Sequence, residues 1–403
     1  MYFSRTITII FILFVNIVTV KAQEFTNSAV VEQTSYQLYM DKNWDELISF
    51  TNRALKEDYD YYYLRIRVGI AYFEKQNYLL AEKHFKKALN FNSSDALANE
   101  YIYYCYIYTG RYEEARMLAG KTKINYVDTD SLPKLGFVII EGGMKTCDSS
   151  NIFKNAYYLH TGLSHYLTNR VSLFHAVTYF TQEERTGKTS QFQYYLKSTI
   201  PLKRNWSVSP GVHWINKKFT TVPVQIQGIP PWAPRRKGKI TRSNYFVGSL
   251  SISKTIKKWQ ISIENSVSNI DDETQIQHGA TISFSIFGNS KWVLGCTGIA
   301  HTADQYITTY MAISPFMVVR PEKHLTISAN YLNNYGRNIT EANGYIINNS
   351  NDITTSRWSV IASVNLGKHI DLYALYQYEY KQQFSHMFNY HYNGGAIGIK
   401  IIP

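Results

Sequence analysis

From about residue 137 to residue 402 the chain is a train of segments in which apolar and polar residues alternate, joined by turns. Ser190 to Ile200 places Phe192, Tyr194, Leu196 and Ile200 on one face and Gln191, Gln193, Lys197 and Thr199 on the other. Trp259, Ile261, Ile263 and Val267 likewise oppose Gln260, Ser262, Glu264 and Ser266. A period of two belongs to a β-strand. Segments near the ~9–11 residues that a tilted strand needs to cross a bilayer, each with one apolar and one polar face, predict an outer-membrane β-barrel. A soluble sandwich or propeller would alternate too, but would not gather Trp and Tyr at strand ends. Trp206, Val208, Val212 and Trp214 put one indole near each end of a single face. Pro210, on that face, predicts a bulge.

Fourteen segments can be counted, from 137–145 to 388–402. Tight turns such as Lys203-Arg204-Asn205 and Lys257-Lys258 alternate with longer connections near 146–155, 182–188, 217–242, 270–273, 335–353 and 383–387. Short periplasmic turns and long external loops are the rule in such barrels. An even count puts both barrel ends in the periplasm.

The first residues have a different character. Arg5, an apolar run from Ile7 to Val20, and Val20-Lys21-Ala22 before Gln23 predict a cleavable secretory signal over 1–22. The formal charge of +12 then falls to about +10, a basic balance suited to anionic partners other than nucleic acid. Cys105, Cys147 and Cys296 are an odd number without close spacing, so neither a disulfide framework nor a zinc site is indicated. Cys296 alternates with Trp292 and Leu294 and is expected to face lipid.

Between residues 28 and 121 the apolar spacing is helical and recurs every 34 residues. Trp44, Tyr78 and Tyr112 form one column, Leu47, Ala81 and Ala115 a second, Ala54 and Ala88 a third. The middle copy, Val68-Gly69-x-x-Tyr72 followed by Ala81-x-x-x-Phe85-x-x-Ala88, resembles the tetratricopeptide repeat. It departs from that pattern at Arg65 and Ser93, and the first copy does so at Leu47. The expected organisation is α+β and multidomain: an α-helical repeat stack over 23–125, a linker over 126–136, and an antiparallel transmembrane barrel over 137–403. This architecture resembles the YaiO family of outer-membrane barrels and, more loosely, polysaccharide exporters that join such repeats to a barrel. The resemblance implies a periplasmic repeat domain and a place in surface-polysaccharide assembly or export. A repeat stack also suits recruitment of a periplasmic protein partner, or service as a spacer.

Two sets of side chains are candidates for function. The polar strand faces put Gln193, Lys197, Glu264, Arg357, Asp371, Glu379 and Lys381 in the lumen, where they would either select solutes by charge or pair to fill a closed interior. The connection from Lys217 to Arg242 carries Lys217, Lys218, Arg235, Arg236, Lys237, Lys239 and Arg242, no acidic residue, and Trp232 within a proline-rich turn. Such a loop suits membrane lipid and lipopolysaccharide headgroups, or an acidic glycan on which an indole can stack. No metal or cofactor is indicated, and the Asn-rich connection from Asn338 to Asn351 holds only Glu341 as a carboxylate. The histidines pair with no serine and carboxylate: Ser164 and His165 are adjacent and must point to opposite faces. The expectation is a non-enzymatic pore or export component. The alternative is a barrel-anchored adaptor; a lipid-modifying enzyme comes third.

Overall fold

The computed structural model describes residues 27–122, 124, 134–221, 238–303, 306–334, 336–347, 352–383 and 388–403. The secretory segment, most of the linker, and Trp232, Arg235, Arg236 and Lys237 lie outside the described residues. Among the described residues six helices come first: α1 (Ser28–Met40), α2 (Trp44–Ala54), α3 (Tyr62–Glu74), α4 (Tyr78–Ala88), α5 (Ala96–Tyr108) and α6 (Tyr112–Ala119). They form three helical hairpins whose starts fall 34 residues apart. Even the turn conformation repeats at that interval, with Lys42, Gln76 and Gly110 all left-handed at φ 53°, 57° and 75°. Asn27 and Asp95 cap α1 and α5 by accepting from the N–H groups of Val30 (2.9 Å) and Ala98 (2.6 Å). Leu47, Ala81, Ala54 and Ala88 are completely buried and Ala115 nearly so. Phe85 stacks on Tyr101 with centroids 4.7 Å apart. The aromatic columns thus fill the spaces that the small residues leave between helices.

Sixteen strands follow among the described residues: β1 (Leu135–Cys147), β2 (Phe153–Thr168), β3 (Val171–Glu184), β4 (Gly187–Pro201), β5 (Trp206–Thr221), β6 (Ile240–Ile256), β7 (Trp259–Ser268), β8 (Gln275–Ser285), β9 (Trp292–Ala303), β10 (Tyr306–Glu322), β11 (Leu325–Asn333), the two-residue β12 (Thr340–Glu341) and β13 (Ile346–Ile347), then β14 (Ile353–Asn365), β15 (Ile370–Gln382) and β16 (Asn389–Ile401). All but β12 and β13 form one closed antiparallel barrel of fourteen strands, with β1 sealed against β16 from Val138↔Ile401 to Cys147↔Tyr392. The α+β architecture read from the sequence is therefore the architecture of the chain.

The barrel is greasy outside and polar inside. Ile397 is 74 % exposed, Met311 68 % and Ile263 55 %, whereas His213, Gln277, Glu379 and Arg357 are buried toward the lumen. Such an apolar belt around a closed ladder is what a bilayer requires. Among the described residues no helix is long and apolar enough to cross a membrane. Trp206, Trp259 and Trp292, the first residues of β5, β7 and β9, stand exposed at one rim. Trp214 lies eight residues further along β5, about 20 Å away along the barrel axis at a rise of ~3.3 Å and a tilt of ~40°.

Three expectations need correction. Connections do not alternate strictly in length, because β3 and β4 are joined by Arg185 and Thr186 alone, and only residues 304–305 separate β9 from β10. The ladders there run past the bilayer and absorb what reads as loop. Pro210 sits in no bulge: its pairing with Leu250 continues an unbroken β5–β6 register. The ring instead leaves a gap on the β4 side, where the register is the same at Lys197↔Gly211 and Ile200↔Val208 but two pairs between them are missing. Proline lacks the N–H that the ladder needs there. The connection from 335 to 353 is not simply external either, as described below.

The helical stack rests on one rim of the barrel, here called the helical rim. It meets the β2–β3, β4–β5, β6–β7 and β8–β9 turns of that rim. Arg116 lies 4.2 Å over the Tyr166 ring, and Ser172 donates to Glu113 at 3.2 Å. The Leu79 N–H donates to the Gly288 carbonyl at 3.0 Å, and Asn289 donates to the Gln76 carbonyl at 3.0 Å. Glu82, 3 % exposed, accepts from Lys86 at 2.6 Å, from Arg111 of the next hairpin, and from Asn205 of the β4–β5 turn at 3.0 Å. Burial opposes ionisation of Glu82, but the Arg111 and Lys86 charges outweigh it and hold the carboxyl below its usual 4.5.

Two outcomes follow from this packing. A Cβ at Gly69 would stand 2.8 Å from the immobile Phe85 ring, so Gly69→Ala should cost roughly 1–3 kcal/mol and lower the temperature at which the helical circular-dichroism signal melts, leaving the barrel signal in place. Because the Glu82 pKa is depressed in the folded state, its stabilisation is present above about pH 4.5 and fades as pH falls through the folded value. The difference in helical melting temperature between wild type and Glu82→Gln should therefore be largest near neutral pH and shrink toward pH ~3; a difference independent of pH would contradict the assignment.

Candidate functional site in the barrel lumen

Between β11 and β14 the chain turns into the barrel. Asn338 and Ile339 are fully buried and Thr340 and Asn343 nearly so. Thr340–Glu341 pairs with Ile346–Ile347 as a short hairpin, β12–β13, whose turn takes Ala342, Asn343 and Gly344 through left-handed φ values of 52°, 60° and 76°. Gly211 on β5 leaves room for it: a Cβ there would approach the Asn343 carbonyl to 3.2 Å and the Ser249 hydroxyl to 2.7 Å.

The inserted loop is tied to the wall by hydrogen bonds, by ion pairs, and by packing of Ile339 against Ile299, Ala312 and Leu332 and of Ile347 against the Ile215, Tyr245, Val247 and Ile270 cluster. Gln277 on β8 clamps Thr340 with both amide atoms, accepting from its N–H at 3.0 Å and donating to its carbonyl at 2.7 Å. Ser266 on β7 meets the Thr340 hydroxyl at 3.0 Å. Tyr195 on β4 and Ser249 on β6 both donate to the Asn343 carbonyl, at 2.9 and 2.8 Å. His213 on β5 lies 2.8 Å from the Gly344 carbonyl through Nδ1, and Tyr345 reaches His160 on β2 at 2.6 Å. At the base, Arg357 on β14 grips Glu341 at 2.6 and 2.7 Å, with Arg357 buried and Glu341 partly so. Strands β14 and β5 lie half-way round the ring from each other. The loop therefore spans the full bore, from the Arg357 pair on one wall to His213 on the other.

The seven lumen candidates occupy inward strand positions, but they do not form one site. Glu379, 3 % exposed, accepts from Lys145 on β1 at 2.9 Å and lies 3.8 Å from Lys381, with Gln377 donating to it as well. Arg357 is taken up by the loop. Gln193 stands 3.2 Å from the far ring nitrogen of His213, behind the loop tip. Glu264 shares an inward face with Ser266 under the hairpin. Asp371 lies apart, at the helical rim, 2.7 Å from Asn365 and 4.0 Å from Lys400. Lys197 shares the inward face of β4 with Gln191 and Tyr195. Sequence reasoning missed Lys145 and Glu141; the Glu141 carboxylate accepts from Tyr158 and Tyr373, each at 2.7 Å. In β1 the consecutive Val138, Ile139 and Ile140 hide the alternation that would have placed Glu141 inside.

The basic connection is divided by strand parity. β5 and β6 extend to Thr221 and from Ile240, so Lys217, Lys218 and Arg242 are ladder residues, not loop residues. Lys218 pairs with Arg242 on the outer face. Lys217 points inward instead, 3.7 Å from Asp271. It lines a vestibule of about 660 Å³ above the plug, together with Glu184, Asp271, Asp272, Glu273 and Arg337. Carboxylates thus outnumber cations among the described residues that line this vestibule. Lys239 is exposed, its N–H donating to the Thr221 hydroxyl at 2.8 Å. Ser164 is buried and His165 half-buried on opposite faces of β2. Cys296 shares the outward parity of Trp292 and Leu294.

No known protein family matches the sequence, and no curated protein does. Among solved structures, the chain is similar to the CymD monoaromatic hydrocarbon channel at 8 % identity and TM-score 0.45, over 68 % of this chain and 90 % of that one. It is similar to the Ralstonia pickettii toluene transporter TbuX at 8 % identity and TM-score 0.44, again over 68 % and 90 %. A Pseudomonas aeruginosa FadL homologue matches at 8 % identity and TM-score 0.40, over 76 % and 94 %.

Gly211 offers a way to disturb the plug from the wall. Gly211→Val should push against the Asn343 carbonyl, and a protease added on the loop side should then cut within 337–347 faster than in wild type. Gly248→Val, outward on the neighbouring strand with nothing within 4 Å of its Cβ position, should leave cleavage unchanged.

Proposed function

We propose that this protein is a non-enzymatic outer-membrane passage for a hydrophilic, glycan-like solute, held shut by its inserted loop, with the helical rim in the periplasm. The observation that carries this reading is the loop's attachment: it spans the bore, and much of its hold is a set of hydrogen bonds and two ion pairs, Arg357–Glu341 and Arg337–Glu273, which water can replace when the loop withdraws. The lumen supports a polar cargo. Tyr158, Tyr195, Tyr245, Tyr373, Tyr390 and Tyr392 face inward beside Gln191, Gln277 and the charges already described. Tyrosine rings offer flat faces to sugar rings and hydroxyls to their oxygens. A polar lumen of this kind is a poor path for hydrocarbon.

Placing the three hairpins in the periplasm as tetratricopeptide-like repeats suits the short turns on which they rest. It also puts Lys218 and Arg242 at the outer surface, where lipopolysaccharide supplies anions. The reading fits a role in assembly or export of surface polysaccharide, as the family resemblance implies.

A second reading, a barrel-anchored adaptor, is favoured by one feature. Tyr36 and Tyr63 are exposed on α1 and α3, with Arg67 set 5.2 and 5.7 Å from their rings, a surface suited to a protein partner.

Planar-bilayer recording separates the two. The intact protein should be silent or flicker, and replacing 337–347 by a short Gly-Ser link should raise steady conductance by roughly ten-fold or more. Sugar uptake by proteoliposomes should rise with it. Silence from both proteins, with the altered barrel still heat-modifiable on gels, would remove the passage and leave the adaptor.

A further inference from the structure

Where α4 meets the rim, the β4–β5 and β6–β7 turns enclose a cleft of about 620 Å³. Lys83, Lys86 and Lys87 line it from one face of the helix, at i, i+3 and i+4, and Arg204 and Lys257 line it from the turns. Its single carboxylate among the described lining residues, Glu82, is already committed to Lys86, Arg111 and Asn205. Five cations therefore converge with their compensation spent at the edge. Burial, and then the neighbouring Lys257, Arg65 and Lys87 charges, hold the Lys83 ammonium below the usual lysine range, the crowding that a bound anion would relieve.

The backbone of the turns points the same way. Arg204, Asn205 and Lys257 are left-handed at φ 60°, 61° and 54°, positions that glycine would fill without strain. The chain keeps two cations and a hydrogen-bonding amide there at a conformational cost. The height of the cleft identifies the anion. Trp206 follows Asn205 and Trp259 follows Lys258, both indoles stand exposed on the outer face, and Lys254 lies 4.5 Å over the Trp206 ring. Indoles favour the membrane interface, so the cations beside them lie at the level of the phosphate groups of the leaflet on the helical side.

We propose that this cleft binds the phosphodiester headgroup of an anionic phospholipid of that leaflet, so that lipid fastens the helical stack to the barrel. The proposal rests on the barrel spanning a membrane and is independent of whether the lumen conducts. A basic pocket at a bilayer interface is a recognised means of holding such headgroups, and a guanidinium can meet a phosphate with two hydrogen bonds.

The test uses the full chain in nanodiscs of phosphatidylcholine with a minor fraction of phosphatidylglycerol. Native mass spectrometry after detergent release should show phosphatidylglycerol retained well above its share. In Lys83→Gln/Lys87→Gln/Arg204→Gln/Lys257→Gln that enrichment should fall about five-fold or more, while Lys154→Gln/Lys188→Gln at the opposite rim keeps it. On the unaltered chain, phosphatidylglycerol should raise the melting temperature of the helical signal over phosphatidylcholine alone, and added salt should erase the difference. Equal retention by both variants, or a helical melt indifferent to phosphatidylglycerol, would overturn the proposal. So would complete displacement by millimolar glycerol 3-phosphate, which would mark the cleft as a site for soluble phosphate compounds.

Discussion

Everything in this molecule depends on the seam between β1 and β16. Inside a bilayer no water is present to satisfy an unpaired N–H or C=O, so a sheet can exist there only if its two edges meet. Ten residue pairs from Val138↔Ile401 to Cys147↔Tyr392 join them. Once the ring is closed, strand parity assigns every side chain either to lipid or to the lumen. That single division lets Ile397 and Met311 stand bare outside while Glu379 and Arg357 survive inside.

The interior is organised around charges that cannot be left alone. Arg357 is nearly inaccessible to solvent, and in such surroundings an isolated cation costs several kcal/mol. Glu341 compensates it, but Glu341 is carried by the loop, so the wall's electrostatics hold the loop in place. Lys145, Glu379 and Lys381 pair with one another on β1 and β15 without the loop, with one positive charge in excess. Part of the lumen is therefore satisfied by the wall alone, and part only when the bore is occupied. At the helical rim Glu82 has a similar place, joining two hairpins of the stack to a barrel turn.

Much of this was legible in the sequence, because periodicity is what the two domains are built on. The 34-residue interval reappears in the helix starts and in the left-handed turns at Lys42, Gln76 and Gly110. The alternating segments reappear as the fourteen strands. What periodicity cannot show is where a segment without a period will go. Asn334 to Ile347 reads as a polar connection, and its route into the lumen depends on Gly211 and His213 of β5 and Gln277 of β8, on two separate strands far away in sequence. The same limit scattered the basic cluster: Lys217 and Lys218 are neighbours in the chain, yet parity sends one to Asp271 in the vestibule and the other to the outer face. The cationic cleft needed the helices and the rim together, since Lys83 and Lys257 are brought side by side only by docking.

The plug has one property that a separate stopper would not have. Both of its ends are covalently continuous with wall strands, β11 on one side and β14 on the other. In the proposed opening, leaving the bore and returning to it are therefore steps within one molecule, with an effective local concentration in the millimolar range for a short tether. Reclosure would then proceed at the same rate however sparsely the protein is scattered through the membrane.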